Sequence, residues 1–342
     1  MDSSKRQISI KDIANISGVS IATVSRVLNH KGKYSAETEQ KVLAIADSYG
    51  YVSNMAAKSL RQSKSKTIGL LLPNINNTFF STLAYYIETY LFSHDYSVFI
   101  CNSGNDSQKE REYFHTLISK GVDGILCISD LDELPDELTS RNIPILCIDR
   151  QPKAASAIPW VGNDDVYAGM LATNHLLDQG RKHILFISSY IPEYNRHSRQ
   201  TGYENALTAH NMLVDKNYIL KRHGDDPTPI EVEILVYEFL QKGFPVDGIV
   251  ASSEPAALGA VYALRRSNLS IPEDVALISF DNSIYSLLTA PPISSIERNP
   301  QQLANTSCDV LLKMIDGTVL DKMNYTIPVQ LIARESTGTK TL

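Results

Sequence analysis

The side chains of this chain that carry chemistry fall into two sets. The first is Ser20, Ile21, Ala22, Thr23, Ser25, Arg26 and Asn29, with Ser35 a little further on. Short hydroxyl and amide groups reach phosphate oxygens, an arginine reaches a base edge, and small apolar groups meet thymine methyls. That is the inventory of a DNA-reading helix. The second set stands at the carboxyl ends of apolar runs: Asn74, Phe79, Phe80, Ser103, Asp149, Arg150, Arg199, Ser253 and Asp281. Carboxylate, guanidinium and amide groups pair with hydroxyls while an aromatic ring covers an apolar C–H face, which suits a sugar. Singly, each of these residues serves a turn or cap as well; their collective placement points to a ligand.

Neither set makes a catalytic constellation. The string after the first apolar run is PNINNTFF, with no GxGxxG, and the chain holds no Walker sequence and no GxSxG. A lone Asp149 or Asp281 has no partner base or nucleophile. The eight histidines show no i, i+4 pair, and Cys101, Cys127, Cys147 and Cys308 lack metal-ligand spacing. The cysteines read as buried free thiols in a reducing compartment. No cofactor and no metal are expected. A doubly wound α/β enzyme acting on sugars is the rival reading, and its parts are missing.

The elements that position the first set are helical. Ile13 and Ile16 mark one short helix, Val24, Val27 and Leu28 the inner face of a second, and Gly18 the turn between them. Ser20 is placed to cap the second helix. A third helix is expected from about Glu37 to Tyr49, with Val42, Ile45, Ala46 and Tyr49 as its apolar stripe, Ser35 as its cap and Gly50 as its end. The next stretch, YVSNMAAKSL, has the makings of one short helix, followed by basic RQSKSK. A helix this short is expected to order against DNA or a partner copy.

From residue 66 the pattern changes to apolar runs separated by amphipathic stretches. The runs are TIGLLLP, YSVFICN, DGILCIS, IPILCID, HILFISS, DGIVASS and VALISFD. Continuous apolar strands alternating with helices mean parallel sheets covered on both faces. Seven such units exceed one small sheet, so two doubly wound lobes are expected. The chain would cross between them near 151–163, 292 and 325. Charge divides the same way. Residues 1–66 hold eleven Lys and Arg against five Asp and Glu, and the remainder holds 21 against 33. A basic head on an acidic body argues that the head alone meets a polyanion.

The strings IKDIANISGVSIATVSRVLN, YVSNMAAKSL and TIGLLLPNINNTFFS resemble, in order and spacing, the lactose-repressor/galactose-repressor (LacI/GalR) family of bacterial transcription regulators. The resemblance implies an all-α helix-turn-helix head on residues 1–52, a hinge helix and linker on 53–65, and an effector-binding and dimerisation domain of periplasmic-binding-protein type on 66–342. It assigns operator preference to Ile21 and Ala22 and hinge contacts to Asn54, Ala57 and Leu60, the leucine wedging into the minor groove. In the body, Phe79 and Phe80 match the aromatic pair after the first strand. Asp149 and Arg150 match the acid–arginine pair of ribose-type members, Arg199 the Arg-x-x-Gly-aromatic pattern, and Asp281 the strand-end acid. Ser253-Glu254 departs from the usual Asn-Asp, and HGDD at 223–226 replaces an aromatic lid.

The expected molecule is therefore a repressor of a carbohydrate-utilisation operon. Its partners are double-stranded operator DNA, a small effector (ribose-like, a ketose or a sugar phosphate) and a second copy of itself. No apolar N-terminal run and no stretch near the roughly 18 residues of a membrane span is present, so a cytoplasmic location is expected. No heptad repeat follows the last strand, so a dimer is expected over a tetramer.

Overall fold

A computed structural model describes residues 8–28, 32–51, 64–129, 131, 133–150, 158–188, 198–221 and 228–338. Asn29, Asn54, Ala57, Leu60 and the 223–226 stretch lie outside these residues. The chain divides into a unit of residues 1–65 and a larger one of 66–342.

The small unit packs three helices: α1 (Ile10–Ser17), α2 (Ile21–Leu28) and α3 (Ala36–Ser48). Each start is fixed by a side chain that accepts from an otherwise orphaned backbone N–H. Ser9 and Asp12 form a reciprocal capping box on α1. Ser20 Oγ accepts from Thr23 N at 3.1 Å on α2, and Ser35 Oγ accepts from Thr38 N at 3.2 Å on α3. Gly18 closes α1 at φ 71°, a left-handed conformation that costs glycine little. The core is Ile13, Ala14, Val24, Val27, Val42 and Ala46. Two expected core residues are elsewhere: Ile16 is 47% exposed and Tyr49 59% exposed. In a helix this short the inward arc spans few positions, and α1 spends them on Ile13, Ala14 and Ser17. Tyr51, beyond the helix end, packs against the core where Tyr49 was expected.

The large unit holds two six-stranded sheets. The first lobe contains β1 (Thr67–Leu72), α4 (Thr78–Phe92), β2 (Ser97–Asn102), α5 (Ser107–Lys120), β3 (Gly124–Cys127), α6 (Asp136–Ser140), β4 (Ile145–Ile148) and β5 (Trp160–Asn163). The second contains α7 (Asp165–Asp178), β6 (Ile184–Ser188), α8 (Ser198–Ala209), β7 (Ile219–Lys221), α9 (Pro229–Gln241), β8 (Gly248–Ala251), α10 (Glu254–Arg266), β9 (Ala276–Phe280), α11 (Ile284–Leu288) and β10 (Ser294–Glu297). The chain then returns through α12 (Pro300–Ile315) and β11 (Asn324–Ile327) to the first lobe and through β12 (Gln330–Ile332) to the second. The strand orders are β11-β5-β4-β3-β1-β2 and β12-β10-β9-β8-β6-β7. Every pairing is parallel except β10 with β12.

Four apolar clusters cover the two faces of each sheet, which is why the strands read as unbroken apolar runs. All four cysteines are buried and free. Among the described residues no helix is long and apolar enough to cross a membrane.

Five strands carried no apolar run: β5, β7, β10, β11 and β12. β10 is Ser-Ser-Ile-Glu, yet Ser294 and Ser295 are fully buried. Hydrogen bonding lets them be: Ser294 Oγ accepts from Arg334 N at 2.7 Å and donates to Arg334 O at 3.2 Å.

α7 and α8 cross backbone to backbone, and a Cβ built on Gly202 would stand 2.1 Å from Val166 O. One built on Gly169 would stand 2.2 Å from Arg199 O. Gly202→Ala should force these helices apart and lower stability by about 1–3 kcal/mol, read from the urea midpoint. An unchanged midpoint would remove this contact from the account.

Candidate functional site

In the small unit, α2 buries Val24 and Val27 and leaves Ile21, Ala22 and Arg26 exposed, with Thr23 and Ser25 half-buried. This follows from the 3.6-residue period: the apolar positions fall on one side and the short polar ones on the other. Thr23 Oγ1 lies 2.9 Å from Ser20 Oγ, so both hydroxyls belong to the helix start. Ser35 serves as a helix cap. The stem of Arg26 lies along Gly32, where an added Cβ would come within 3.4 Å of its Cδ.

In the large unit the strand-end residues Asp149, Asn163 and Asp281 of the two lobes come together in one cluster, at the carboxyl ends where ligands of open α/β sheets bind. At its centre is a residue the sequence did not single out. Arg298 follows β10 on the segment crossing to α12, and its side chain is 3% exposed. Its guanidinium donates to Asp149 from the first lobe and, at 3.3 Å, to Asp281 from the second. Its Nε lies 3.9 Å from Asp165 and donates to Asn163 Oδ1 at 3.2 Å. The plane stacks 4.0 Å over the Phe79 ring. Arg199 is the second cation, held to Asp165 at 3.2 Å, near Asp281 at 4.0 Å, and 4.3 Å over the Phe280 ring. Arg150 lies 5.6 Å over the Phe80 ring.

The electrostatics follow from the geometry. Burial by itself would raise the Asp149 carboxyl, but Arg298, Arg150 and Arg199 together hold it below the ordinary carboxylate range. Burial would equally lower Arg298, and Asp149, Asp165 and Asp281 outweigh it, so the guanidinium stays charged. Around Arg298, three carboxylates against three guanidinium groups leave the cluster itself close to neutral. Asp149 and Asp281 have φ of 62° and 80°, and Asn282 51°. These left-handed turns at the strand ends aim the carboxylates inward, and Asp and Asn tolerate them better than other side chains do.

Of the residues expected to meet a ligand, the fold gathers Phe79, Phe80, Asp149, Arg150, Arg199 and Asp281. The other three make local bonds. Ser103 Oγ donates to Leu72 O at 3.3 Å, Asn74 Oδ1 accepts from Asn76 N at 3.0 Å, and Ser253 caps α10. Sequence reading missed Arg298, Asp165, Asn163 and Phe280. Asp165 sits beside Asp164 at a helix start and reads as capping chemistry, while Arg298 follows a strand with no apolar signature.

Comparison with known proteins fits this architecture. Residues 65–335 match the family described as periplasmic binding proteins and sugar binding domain of LacI family, and residues 9–54 match bacterial regulatory proteins, lacI family. The chain belongs to the LacI family. It is a DNA-binding transcriptional regulator and not an enzyme. The ribose operon repressor of Halalkalibacterium halodurans is 33% identical over 96% of both chains. The lac repressor dimer, solved with operator and the anti-inducer ONPF, matches with a TM-score of 0.83, covering 97% of this chain and 99% of that one at 23% identity. A LacI-type regulator from Alkaliphilus metalliredigens, complexed with D-xylulofuranose, matches with a TM-score of 0.70 at 28% identity, covering 80% of this chain and all of that one.

Two outcomes test the cluster. Arg298→Met strands buried carboxylates and should cost about 3–5 kcal/mol in urea unfolding, where an exposed ion pair would cost under about 1. The second concerns pH. Because Asp149 titrates lower folded than unfolded, its stabilisation is complete above the ordinary carboxylate range and is lost as pH falls through the depressed value. Asp149→Asn should therefore flatten the fall in urea midpoint between about pH 5 and pH 3. An unaltered slope would deny Asp149 its charge partners.

Proposed function

We propose that this LacI-family regulator represses a carbohydrate-utilisation operon and is controlled by a small sugar bound between the two lobes. The observation that carries the DNA-reading half is the outer face of α2, which presents Ile21, Ala22 and Arg26 on a basic three-helix head. The three-helix head of residues 1–52 would read a half-site, residues 53–65 would form the hinge through Asn54, Ala57 and Leu60, and residues 66–342 would bind effector and dimerise. Asn29, Ser20, Thr23, Ser25 and Ser35 would stand along the phosphate backbone.

For the effector, charge balance supports a neutral polyol. Arg199 and Arg298 already face carboxylates on the described contacts, so a phosphate would compete with Asp149, Asp165 and Asp281 for the same cations. A sugar hydroxyl instead accepts from a guanidinium and donates to a carboxylate at once. The ribose operon repressor and the D-xylulofuranose complex among the similar proteins support a pentose. The chain would act in the cytoplasm, where operator DNA is.

A homodimer is supported by apolar exposure on both lobes. Edge strand β2 leaves Phe99 and Ile100 each 45% exposed, and α11 leaves Leu287 and Leu288 exposed. Unprotected apolar edges of this kind are normally covered. Two heads on one dimer would read a pseudo-palindromic operator, and effector and operator would then change each other's affinity by the same factor.

Thermal unfolding against pentoses, hexoses, disaccharides and their phosphates tests the effector class, since a ligand of the folded state raises the midpoint. D-ribose or a related pentose should raise it, whereas a response confined to phosphates would overturn the neutral reading. Arg199→Ala should abolish the sugar response and leave operator affinity intact by fluorescence anisotropy. Arg26→Ala should do the reverse, weakening operator binding about tenfold or more. If either variant failed to separate the two activities, the corresponding residue assignment would fall.

A further inference from the structure

Glu254 is a buried carboxylate that the cluster around Arg298 does not use. It opens α10 and is 3% exposed. Its Oε1 accepts from Ser283 N at 2.8 Å and from Ser286 Oγ at 3.1 Å, both in the second lobe. Its Oε2 accepts from Thr78 Oγ1 at 3.0 Å. Thr78 is the first residue of α4, in the first lobe, so a single carboxylate joins strand-end segments 176 residues apart. Burial raises its pKa, with Ser283 and Thr78 opposing and Asp281 adding to the rise.

The position of this bond differs from that of Arg298 in a way that matters. Arg298 stands on a crossover, where rotation of one lobe against the other moves atoms least. Asn163, on another crossover, donates to Arg298 O at 3.1 Å and to Ile327 O at 2.9 Å, so the three crossing segments are tied together there. Neither Thr78 nor Glu254 is on a crossover. Opening the cleft would separate their helix starts and exchange the Thr78 bond for one to water, so the bond favours the closed arrangement.

We propose that Thr78 and Glu254 form a latch across the cleft that exists only with the lobes closed, and that this latch sets effector affinity. The inference rests on the proposal that a small sugar binds between the lobes. Glu254 acts as a positioning residue, because its oxygens are engaged by Thr78, Ser283 and Ser286. A ligand that needs closed lobes binds in proportion to the fraction of molecules already closed, so strengthening closure strengthens binding.

The test is a double-mutant cycle in the full-length chain with Thr78→Val, Glu254→Gln and the pair, with Thr78→Ser as control. D-ribose affinity is measured by calorimetry, and effector-free stability by urea unfolding. Thr78→Val should weaken D-ribose binding about tenfold, Thr78→Ser should restore it, and the pair should be no worse than the weaker single variant. A Glu254 that merely anchors α11 would be untouched by Thr78→Val, so unchanged affinity or strictly additive losses would overturn the latch. If the parent chain ignores D-ribose, the pentose reading fails on its own. The unfolding cycle still decides the latch: coupling between the two positions supports it, and zero coupling overturns it.

Discussion

A buried guanidinium placed where three chain segments cross is the constraint on which the body depends. Arg298 is out of water, and a buried cation is tolerable only with its charge matched and its N–H groups satisfied. Asp149 of the first lobe, Asp281 and Asp165 of the second, and Asn163 on the neighbouring crossover supply both. Its partners come from both lobes, so the lobes meet at this point. The same interaction ties the crossing segments together and sets donors and acceptors side by side between the lobes.

Around that point the supporting contacts are of a different kind. The glycine crossing of α7 and α8 brings the start of α8 close enough for Arg199 to reach Asp165. Phe79 and Phe280 lie under the guanidinium groups of Arg298 and Arg199, giving each an apolar face that water would otherwise claim. Left-handed turns at Asp149 and Asp281 point the carboxylates inward. Sheet packing on four faces gives these short-range contacts a rigid frame, so an ångström at a strand end is not absorbed elsewhere. The head needs none of this. Its three helices close on six buried residues, and its reading face is simply what the core leaves outside.

Much of this was legible in the residues. The head's caps at Ser20 and Ser35, the turn at Gly18 and the inner face of Val24 and Val27 all follow from local rules. Seven apolar runs became strands, and Asp149, Arg199 and Asp281, which the LacI resemblance picked out, lie in the charge cluster around Arg298. The misses have separate causes. Ile16 and Tyr49 satisfied helical spacing yet face outward, because three short helices have only a narrow common interior. β10 was unreadable because its buried serines hide their polarity in hydrogen bonds, Ser294 with Arg334 forty residues on and Ser295 with the Asn282 N–H. Arg298 was hidden with it, since nothing near it in sequence shows that carboxylates 133 and 149 positions away lie beside it.

By itself, then, the sequence determined whatever depends on neighbours along the chain. That covers helix and strand type, the caps, the basic head on an acidic body, and membership in a family whose motifs are local strings. Tertiary structure alone decided which charges meet. The pairing of Arg298 with three aspartates and the reach of Glu254 to Thr78 join residues that are far apart in the chain. The reason is physical. Local propensity acts over a turn or two of backbone, whereas desolvation and charge pairing act over ångströms, and folding sets those distances independently of position in the chain.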